Sequence, residues 1–516
     1  MSKEKTNYST IAASLKSKKM RFFCLIFICF LFSVALRMSY LNRTLSDHHE
    51  WVTAHTMIAL ENWESQGALK HRFCLLTTYP SQANKFVPST YGRLMDNQGN
   101  GYYASFPPFA VIFPYALFKL FSIPISVLNL QILNLILHLI STYFVYSLLC
   151  TVLKNNDKKE FVAFLGAVYF IFLPANLWFF SNTYSWDILW HYLWIIGVYQ
   201  ILGIIKAIHL KNVSTVFLFL LSLNIFLMIY TEPVGLFFAA SIIFYAVMKL
   251  QESEYYKKLI IFTTCPVFLV LLLLTVQYSS ITGFKELAEY FRLASIEYQF
   301  QGISDLKKIA YNYTMAYKAM VIPMLIIFFI SFRKLGVRLF AQFTHEERTL
   351  LYFWLFPVVA QHLLQLNRSA DHDFLAVKTS LLFISIFVFL MNNLAVLNKI
   401  GKVSKILLLC AISISLFFQV SDYRNHYTLS QNPKRFLLLA NAIKKEISRD
   451  DVIFLVADQI LNEPPLAVYV QRNMVSIKRS EEALEWLNQY GRKTGIIFYV
   501  NKDTEVTRFE KIASEI

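Results

Sequence analysis

Four polar stretches of this sequence carry side chains that can exchange protons or bind cations. One is the run Asp-His-His-Glu at positions 47–50, and the others are Tyr184–Asp187, Thr231–Glu232 and Arg368–Asp373. Each lies beside a long apolar run. Acidic and histidine side chains cost insertion free energy there, about 2.5–3.5 kcal/mol each at the bilayer centre and less near its boundary. Their positions predict one polar site at the edge of a membrane, open to both lipid and water.

Composition places the chain in a membrane. Of its 516 residues, 56% are hydrophobic and only 16% are charged, with a mean hydropathy of +0.46. A soluble protein of this length needs more charge on its surface. The net charge of +16 could indicate nucleic-acid binding, but the Lys and Arg residues fall in short clusters between apolar runs, as positive-inside topology requires. We therefore expect contact with membrane lipids and no nucleic acid.

The apolar runs predict a polytopic all-α membrane protein with about eleven transmembrane helices. The predicted spans are Phe22–Leu36, Val127–Leu153, Phe161–Phe180, Ile188–Ala207, Val213–Tyr230, Val234–Leu250, Leu259–Tyr278, Ala319–Ser331, Thr349–Leu366, Leu375–Asn393 and Ile406–Val420. The basic clusters then place the N-terminus in the cytoplasm, with the first span kept as an anchor, and the C-terminal part outside. The run Phe106–Phe121 is short and contains three prolines, so we expect a juxtamembrane or re-entrant segment.

Long polar connections separate some of these spans. Residues 37–105 form the predicted first external loop, and residues 279–317 the second. Within the first, the spacing of apolar residues from Val52 to Trp63 predicts a juxtamembrane helix on an apolar surface. Residues 1–420 are thus predicted to be a transmembrane catalytic domain.

Residues 421–516 differ in pattern and predict a small soluble extracytoplasmic α/β domain. Asp451–Ala457 and Gly495–Val500 are typical of buried strands, and they alternate with the predicted helices Lys434–Ile447, Ser480–Tyr490 and Thr504–Ser514. No Gly-rich phosphate loop or metal-ligand spacing occurs in this part of the sequence, so we expect an accessory role.

The candidate site residues also have structural interpretations. Asp47 fits a helix N-cap, because Glu50 follows three residues later as in a capping box. Asp187 can cap the span that begins at Ile188, and Glu232 can start a helix. The tyrosines at positions 102 and 103 suit an interfacial aromatic belt as well as a sugar-binding surface.

The arrangement resembles the C-type (GT-C) glycosyltransferases, notably the protein O-mannosyltransferases and the bacterial aminoarabinose transferases of lipid A. In that family an acidic residue follows the first span, and Asp47 in SDHHEW occupies this position. YYASFPPF resembles the Tyr-Pro-Pro segment that closes the first loop, and TYSWDILWHYLWIIGVY resembles the later external Asp, here Asp187. The resemblance covers about residues 20–420. The family often has adjacent Asp and Glu, whereas two histidines separate Asp47 from Glu50.

The resemblance implies a glycosyltransferase acting on the extracytoplasmic face, in a bacterial inner membrane, on a cell envelope glycan. Its donor would be a hexose or pentose on a polyprenyl phosphate, and its acceptor a glycan, a lipid or a protein. Direct attack would invert the anomeric centre, with Asp47 as base and Asp187 as a second catalytic carboxylate. The alternative is a transporter or flippase of a lipid-linked or small polar substrate.

The leaving lipid phosphate gains negative charge, which cationic side chains or a divalent metal could stabilise. The substrate-binding candidates are Glu50, Tyr102, Tyr103, Arg292, Arg368, His372, Asp373 and Lys378. His48 and His49 are either solvated loop residues or ligands of the metal.

Overall fold

The computed structural model describes residues 2–45, 49–87, 94–154, 156–297, 302–335, 342–396, 402–428, 434–457, 464–501 and 505–514. The candidate residues Asp47 and His48 lie outside the described residues, and so does the side chain of Arg368.

α-Helices make up most of the described chain. In chain order they are α1 Ser2–Arg37, α2 Trp51–Gln66, α3 Phe109–Leu120, α4 Val127–Val152, α5 Lys159–Phe172, α6 Pro174–Phe179, α7 Trp186–His209, α8 Thr215–Ile229, α9 Gly235–Met248, α10 Tyr255–Thr282, α11 Phe284–Glu297, α12 Ile303–Leu335, α13 His345–Leu364, α14 Leu366–Asp371, α15 Ser380–Val396, α16 Lys402–Asp422, α17 Arg435–Glu446, α18 Pro464–Val470 and α19 Glu481–Gln489. A seven-residue 3₁₀ helix, Asp373–Thr379, leads into α15.

Seven segments of the described chain are helical, long and apolar enough to cross a membrane. They are Lys19–Tyr40, Val127–Val152, Trp186–His209, Tyr255–Thr282, Ile303–Arg333, Asp373–Leu394 and Lys405–Tyr427. Three shorter apolar helices, α3, α8 and α9, accompany them. The protein is therefore a multi-pass membrane protein, and the count of eleven spans stays a prediction.

Two predicted segments have a different local structure. The predicted span Phe161–Phe180 is divided between α5 and α6, because Pro174 lacks the backbone N–H that would continue α5. The second predicted loop, residues 279–317, is mostly helical: α10 continues to Thr282, α11 follows at once, and α12 begins at Ile303. The polar side chains of α11 make this segment look like a loop in the sequence. Leu287 and Tyr290 nevertheless give the helix a buried side.

The first predicted loop contains α2 and a small antiparallel sheet. Its strands are β1 Leu75–Leu76, β2 Leu94–Met95 and β3 Gly101–Tyr103, with β3 in the centre. Helix α2 is buried on nearly all sides from Val52 to Leu60, because β1, α3, α4 and α18 pack against it. The prediction of a helix there is confirmed, but it is enclosed by protein rather than lying on a surface.

A second sheet lies in the C-terminal part of the chain. Its strands are β4 Val452–Ala457, β5 Met474–Ile477, β6 Thr494–Val500 and β7 Val506–Ala513, in the order β5-β4-β6-β7. β4 is parallel to β5 and β6, and β7 is antiparallel to β6. The prediction of a helix over Thr504–Ser514 is wrong, because β6 pairs with this segment along its length and makes it an edge strand. The division at residue 420 into two domains stays a prediction.

Candidate functional site

A buried ammonium group joins two of the predicted polar stretches. The Lys378 Nζ lies 2.7 Å from Asp187 Oδ1 and 2.7 and 2.9 Å from the two Glu232 carboxylate oxygens. The side-chain oxygen of Gln361 completes the group at 3.3 Å. The three side chains that carry charge are at most 4% exposed. The structure thus brings together Asp187, Glu232 and Lys378, which are far apart in the sequence.

Four different elements supply this ion cluster. Asp187 lies in the first turn of α7, where Ser185 is the N-cap and its hydroxyl accepts a hydrogen bond from the Ile188 N–H. Ser185 rather than Asp187 therefore caps the span. Glu232 lies in the turn between α8 and α9, Gln361 lies in α13, and Lys378 lies in the 3₁₀ helix.

The ion cluster carries two carboxylates for one ammonium. Taking such groups out of water costs several kcal/mol per ion, and only close pairing offsets it. The Trp190 ring adds a cation–π contact, with its centroid 5.0 Å from the Lys378 Nζ. Four oxygen atoms from three residues thus share the three N–H groups of Lys378. This lysine therefore holds Asp187 and Glu232 in place.

A second polar group lies where the first loop meets the same 3₁₀ helix. The His49 Nε2 lies 3.0 Å from Asp373 Oδ1, and the Trp51 indole N–H donates to His49 Nδ1 over 3.3 Å. Because Nδ1 accepts, Nε2 carries the proton that is donated to Asp373. His372 lies beside them, with its ring 5.7 Å from that of His49 and stacked on Phe374.

The backbone of His49 is held in an uncommon conformation. Its φ angle is +63°, in the left-handed region that side chains other than Gly rarely adopt. Such a conformation costs about 1–3 kcal/mol and persists where neighbours fix it, as they do at many functional sites. The contacts to Asp373 and Trp51 fix His49 here.

Glu50 follows His49 and is fully buried. Its carboxylate lies 3.0 Å from the Arg43 guanidinium, which in turn lies 5.0 Å from the Trp178 ring. Glu50 occupies the N-cap position of α2, where the helix dipole favours a negative charge. Arg43 and Trp178 thus bind the start of α2 to α6.

The two polar groups are close to each other. Asp373 and Lys378 lie five residues apart in one 3₁₀ helix, which at a rise of 2.0 Å per residue separates their backbones by about 10 Å. Runs of 3₁₀ helix this long are uncommon. The result is a polar surface built from the first loop, the starts of α7 and α9, and the segment before α15.

Tyr102 and Tyr103 point to opposite sides of β3, as neighbouring strand residues do. Tyr103 stacks on His55 with ring centroids 5.4 Å apart, and it contacts Trp186, which stacks on Phe106 at 3.8 Å. This aromatic group connects the first loop to the start of α7. Tyr102 is directed away and bonds His71 and Asp96 at 2.7 and 3.1 Å.

Burial also determines the charge of one side chain of α2, the imidazole of His55. The loss of water around His55 lowers its pKa from 6.5 to about 3, so this ring is neutral at physiological pH. A neutral ring suits its stacked position on Tyr103.

Arg292 lies apart from both polar groups. It is exposed on α11 and forms a two-pronged ion pair with Glu289 one turn earlier, at 2.6 and 2.7 Å. Among the described residues, no three His, Cys, Asp or Glu side chains are placed to hold one metal ion. A site that used His49 would need His48 or Asp47, both outside the described residues.

An apolar cavity lies beside the turn that carries Glu232. It has a volume of about 250 Å³ and lies between the YYASFPPF segment, the turn that follows α8, and helices α10 and α11. Pro233, next to Glu232, forms part of its wall together with Leu236, Leu274 and Tyr278. The apolar wall of the cavity and the buried carboxylate of Glu232 are thus contributed by neighbouring residues of one turn.

Sequence analysis missed Arg43 and Gln361 as members of these groups. Arg43 gave no signal beyond being one of several basic residues after the first span. Gln361 lies one helical turn from the end of an apolar run, and a buried amide in such a run is a signal that could have found it.

Solved structures with a similar fold include two kinds of enzyme. An oligosaccharyltransferase from Archaeoglobus fulgidus, crystallised with Zn and sulfate, is 12% identical, with 92% of this chain and 67% of that chain covered and a TM-score of 0.57. The same organism's oligosaccharyltransferase AglB, in complex with an inhibitory peptide and a dolichol-phosphate, is 11% identical with a TM-score of 0.55, covering 93% and 70%.

ArnT from Cupriavidus metallidurans in the apo state is 11% identical, with a TM-score of 0.51, covering 94% of this chain and 93% of that chain. No protein-family model and no curated protein matches the sequence. At such identities the similarity concerns the fold alone. It confirms the resemblance of this chain to the GT-C type at that level.

Proposed function

Because the chain has the fold of the GT-C membrane glycosyltransferases, we propose that it transfers a sugar from a polyprenyl-phosphate donor to an acceptor. The main support besides the fold is an apolar cavity whose wall includes Pro233, the residue that follows the buried Glu232 of the ion cluster. This cavity offers an apolar surface to the hydrocarbon chain of such a donor. The dolichol-phosphate in the AglB complex also supports a lipid phosphate as partner.

The proposed reaction is one displacement with inversion. An acceptor oxygen attacks the anomeric carbon, its proton passes to the Asp47 carboxylate, and the bond from that carbon to the phosphate oxygen breaks. The electron pair leaves with the polyprenyl phosphate. A hydroxyl is a weak nucleophile, so a positioned base contributes about 10²–10⁴-fold.

Several described residues are proposed to position the reacting groups or to bind substrate. His49 follows Asp47 and His48 in the sequence, and its bond to Asp373 fixes the backbone two residues after the proposed base. Asp187 is the second proposed catalytic carboxylate, and Lys378 positions it. Glu50, Tyr103 and His372 are proposed to bind substrate, as are Tyr102, Arg292 and Arg368.

We place the reaction on the extracytoplasmic face, in a bacterial inner membrane. The transferred sugar is a hexose or a pentose, and the acceptor is a glycan, a lipid or a protein. The C-terminal residues 421–516 are proposed to form an accessory extracytoplasmic domain. Helix α18 supports this role, because it packs on α2 and the Tyr469 hydroxyl accepts a hydrogen bond from the Leu45 N–H, just before the candidate base.

A divalent metal would add charge stabilisation of the leaving phosphate. Its oxygen and nitrogen ligands would come from Asp47, His48 and His49. Both ring nitrogens of His49 already have partners, Trp51 and Asp373. A metal at His49 would therefore have to replace one of these two contacts.

The test is sugar transfer by purified full-length protein from a synthetic polyprenyl-phosphate sugar. Asp47→Asn removes the base but keeps the shape, and we expect transfer to fall at least 100-fold. Glu64→Gln is the matched control, since Glu64 is an exposed carboxylate on α2 paired with Lys119, and it should transfer sugar at the wild-type rate.

Two results would count against the proposal. Wild-type transfer by Asp47→Asn would exclude Asp47 as the base. Flux of substrate across proteoliposome membranes, without transfer from any donor, would instead establish the transporter or flippase.

A further inference from the structure

A second cavity lies at the other end of the helix bundle. It has a volume of about 520 Å³ and is lined by the ends of α4 and α7 and the start of α13. Asp187 lies in the first turn of α7 and His209 ends the helix, so 22 residue steps, about 33 Å, separate the ion cluster from the rim of the cavity. That distance exceeds the ~30 Å hydrocarbon core of a bilayer. The cavity therefore opens on the membrane face opposite the proposed catalytic site.

Three helices bring basic side chains to this cavity. Lys206 and His209 come from the last turns of α7, His345 from the first turn of α13, and Lys154 from the end of α4. The His209 and His345 rings lie 6.3 Å apart across the opening. Lys154 is half-buried, and its ammonium is anchored on Asn393 Oδ1 at 2.9 Å. Glu346 is the acidic side chain in the lining, so basic groups are in excess.

A capping box holds the start of α13 at the rim of the cavity. Thr344 and Glu347 form a capping box, in which the Thr344 hydroxyl accepts from the Glu347 N–H at 3.1 Å. Such a cap fixes the first turn of a 20-residue helix and with it His345, while Glu346 and Glu347 in that turn offset the partial positive charge of the helix N-terminus.

The inner wall of the cavity is apolar. Leu202 and Ile205 from α7 and Leu153 from α4 line it below the basic rim. A free anion needs only the basic rim. A phospholipid would use both the rim and the apolar wall, with its headgroup at the basic side chains and its glycerol and acyl region against the leucines. Basic pockets between membrane helices are known to suit anionic headgroups.

We propose that this cavity binds a phosphate group, carried by an anionic phospholipid or present as free inorganic phosphate. The site is separate from the proposed sugar-transfer site and does not depend on that function. It connects the far ends of α7 and α13, whose other ends carry Asp187 and Gln361 of the ion cluster.

The experiment measures binding to the purified full-length protein in neutral detergent by native mass spectrometry. The probes are phosphatidylglycerol, phosphatidylcholine and inorganic phosphate. Phosphatidylglycerol should bind and phosphatidylcholine should not. Lys206→Ala should weaken phosphatidylglycerol binding about fivefold, as one surface charge contributes, and Lys206→Arg should retain it. Leu202→Trp, which fills the apolar wall, should also weaken lipid binding.

Lys258→Ala is the matched control. Lys258 lies at the start of α10 beside Tyr255 and outside the lining of this cavity, so lipid binding should be unchanged. Inorganic phosphate binding that Lys206→Ala weakens and Leu202→Trp does not would identify the free ion as the ligand. Equal binding of both lipids without phosphate binding, or equal weakening by Lys206→Ala and Lys258→Ala, would overturn the proposal. A protein that binds none of the probes would overturn it too.

Discussion

The Lys378 ammonium and the Asp187 carboxylate lie 2.7 Å apart, and both are almost completely buried. Glu232 approaches the same ammonium as closely, so one cation neutralises part of two anions. A buried ion group of this kind contributes little net stability when intact, because desolvation offsets its attraction. Removal of only one partner is costly, because the other charge is then left buried without its partner in a medium of low polarity.

Lys378→Met should therefore destabilise the protein strongly. The side chain keeps its volume but leaves Asp187 and Glu232 facing each other, and we expect a loss of about 3–5 kcal/mol in the free energy of unfolding. Thermal unfolding of the purified protein in detergent would show this as a lower melting temperature. The double variant Lys378→Met/Glu232→Gln should recover part of the loss.

Lys308→Met is the control for that measurement. Lys308 forms an ion pair with Asp371 at 2.8 Å, but both side chains are more than half exposed. Water replaces a surface partner at little cost, so this variant should unfold at the wild-type temperature. A Lys378→Met protein as stable as Lys308→Met would show that the ion cluster is hydrated rather than buried.

The positions of the helices are largely predictable from the sequence, whereas the contacts between them are not. Long apolar runs such as Val127–Leu153 and Ile188–Ala207 give helices within a few residues of the predicted bounds, because lipid requires every backbone group to bond within its own segment. The pairing of Lys378 with Glu232 joins residues 146 positions apart. No local pattern encodes such a contact, and here it depends on how α7, α9 and α13 pack together.

The incorrect prediction of a helix over Thr504–Ser514 has a similar cause. Its composition, rich in Glu, Lys and Arg, favours an exposed helix on local grounds. Pairing with β6 overrides that preference, and Val506 and Thr507 suit a strand. Likewise, Arg43 became informative only when the fold placed it against Glu50.

The bond between His49 and Asp373 should make these residues act as one unit. If they position the segment that carries Asp47, either His49→Ala or Asp373→Ala alone releases it. We expect each variant to reduce sugar transfer about 10-fold and the double variant to be no worse than the more severe single one. Rates of transfer from a polyprenyl-phosphate sugar, measured for the wild-type protein, the two single variants and the double variant, would give the coupling free energy between His49 and Asp373.

The corresponding cycle at Lys119 and Glu64 is the control. These residues are paired at 2.5 Å but are about half exposed, and neither touches the polar groups described above. Transfer should be unaffected by Lys119→Ala, by Glu64→Gln or by both. Fully additive losses at His49 and Asp373 would mean that the two side chains act separately.

Histidine burial predicts how stability depends on pH. In the folded protein the pKa of His55 is lowered to about 3 because the ring is desolvated, whereas in the unfolded chain it is about 6.5. The unfolded state thus binds the extra proton first. The contribution of His55 to stability is complete above pH 6.5 and is lost as the pH falls from there toward 3.

His55→Phe should weaken that dependence. Phenylalanine keeps the stacked contact with Tyr103 and cannot be protonated. Between pH 7 and pH 5 the melting temperature of wild-type protein should fall further than that of His55→Phe. Parallel curves for the two proteins would show that water reaches the ring and that burial does not set its pKa.

The apolar cavity beside Glu232 offers a test that separates donor binding from chemistry. Leu274 lines it, so Leu274→Trp should fill much of its 250 Å³ and exclude the hydrocarbon chain of the donor. We expect KM for the polyprenyl-phosphate sugar to rise about tenfold with kcat little changed, because the variant removes binding that is uniform along the reaction. Leu273→Trp is the matched control, since Leu273 precedes Leu274 on α10 and is exposed rather than part of the lining. An equal change in KM for both variants would place the lipid elsewhere, and a fall in kcat alone for Leu274→Trp would assign the cavity to the acceptor side of the reaction.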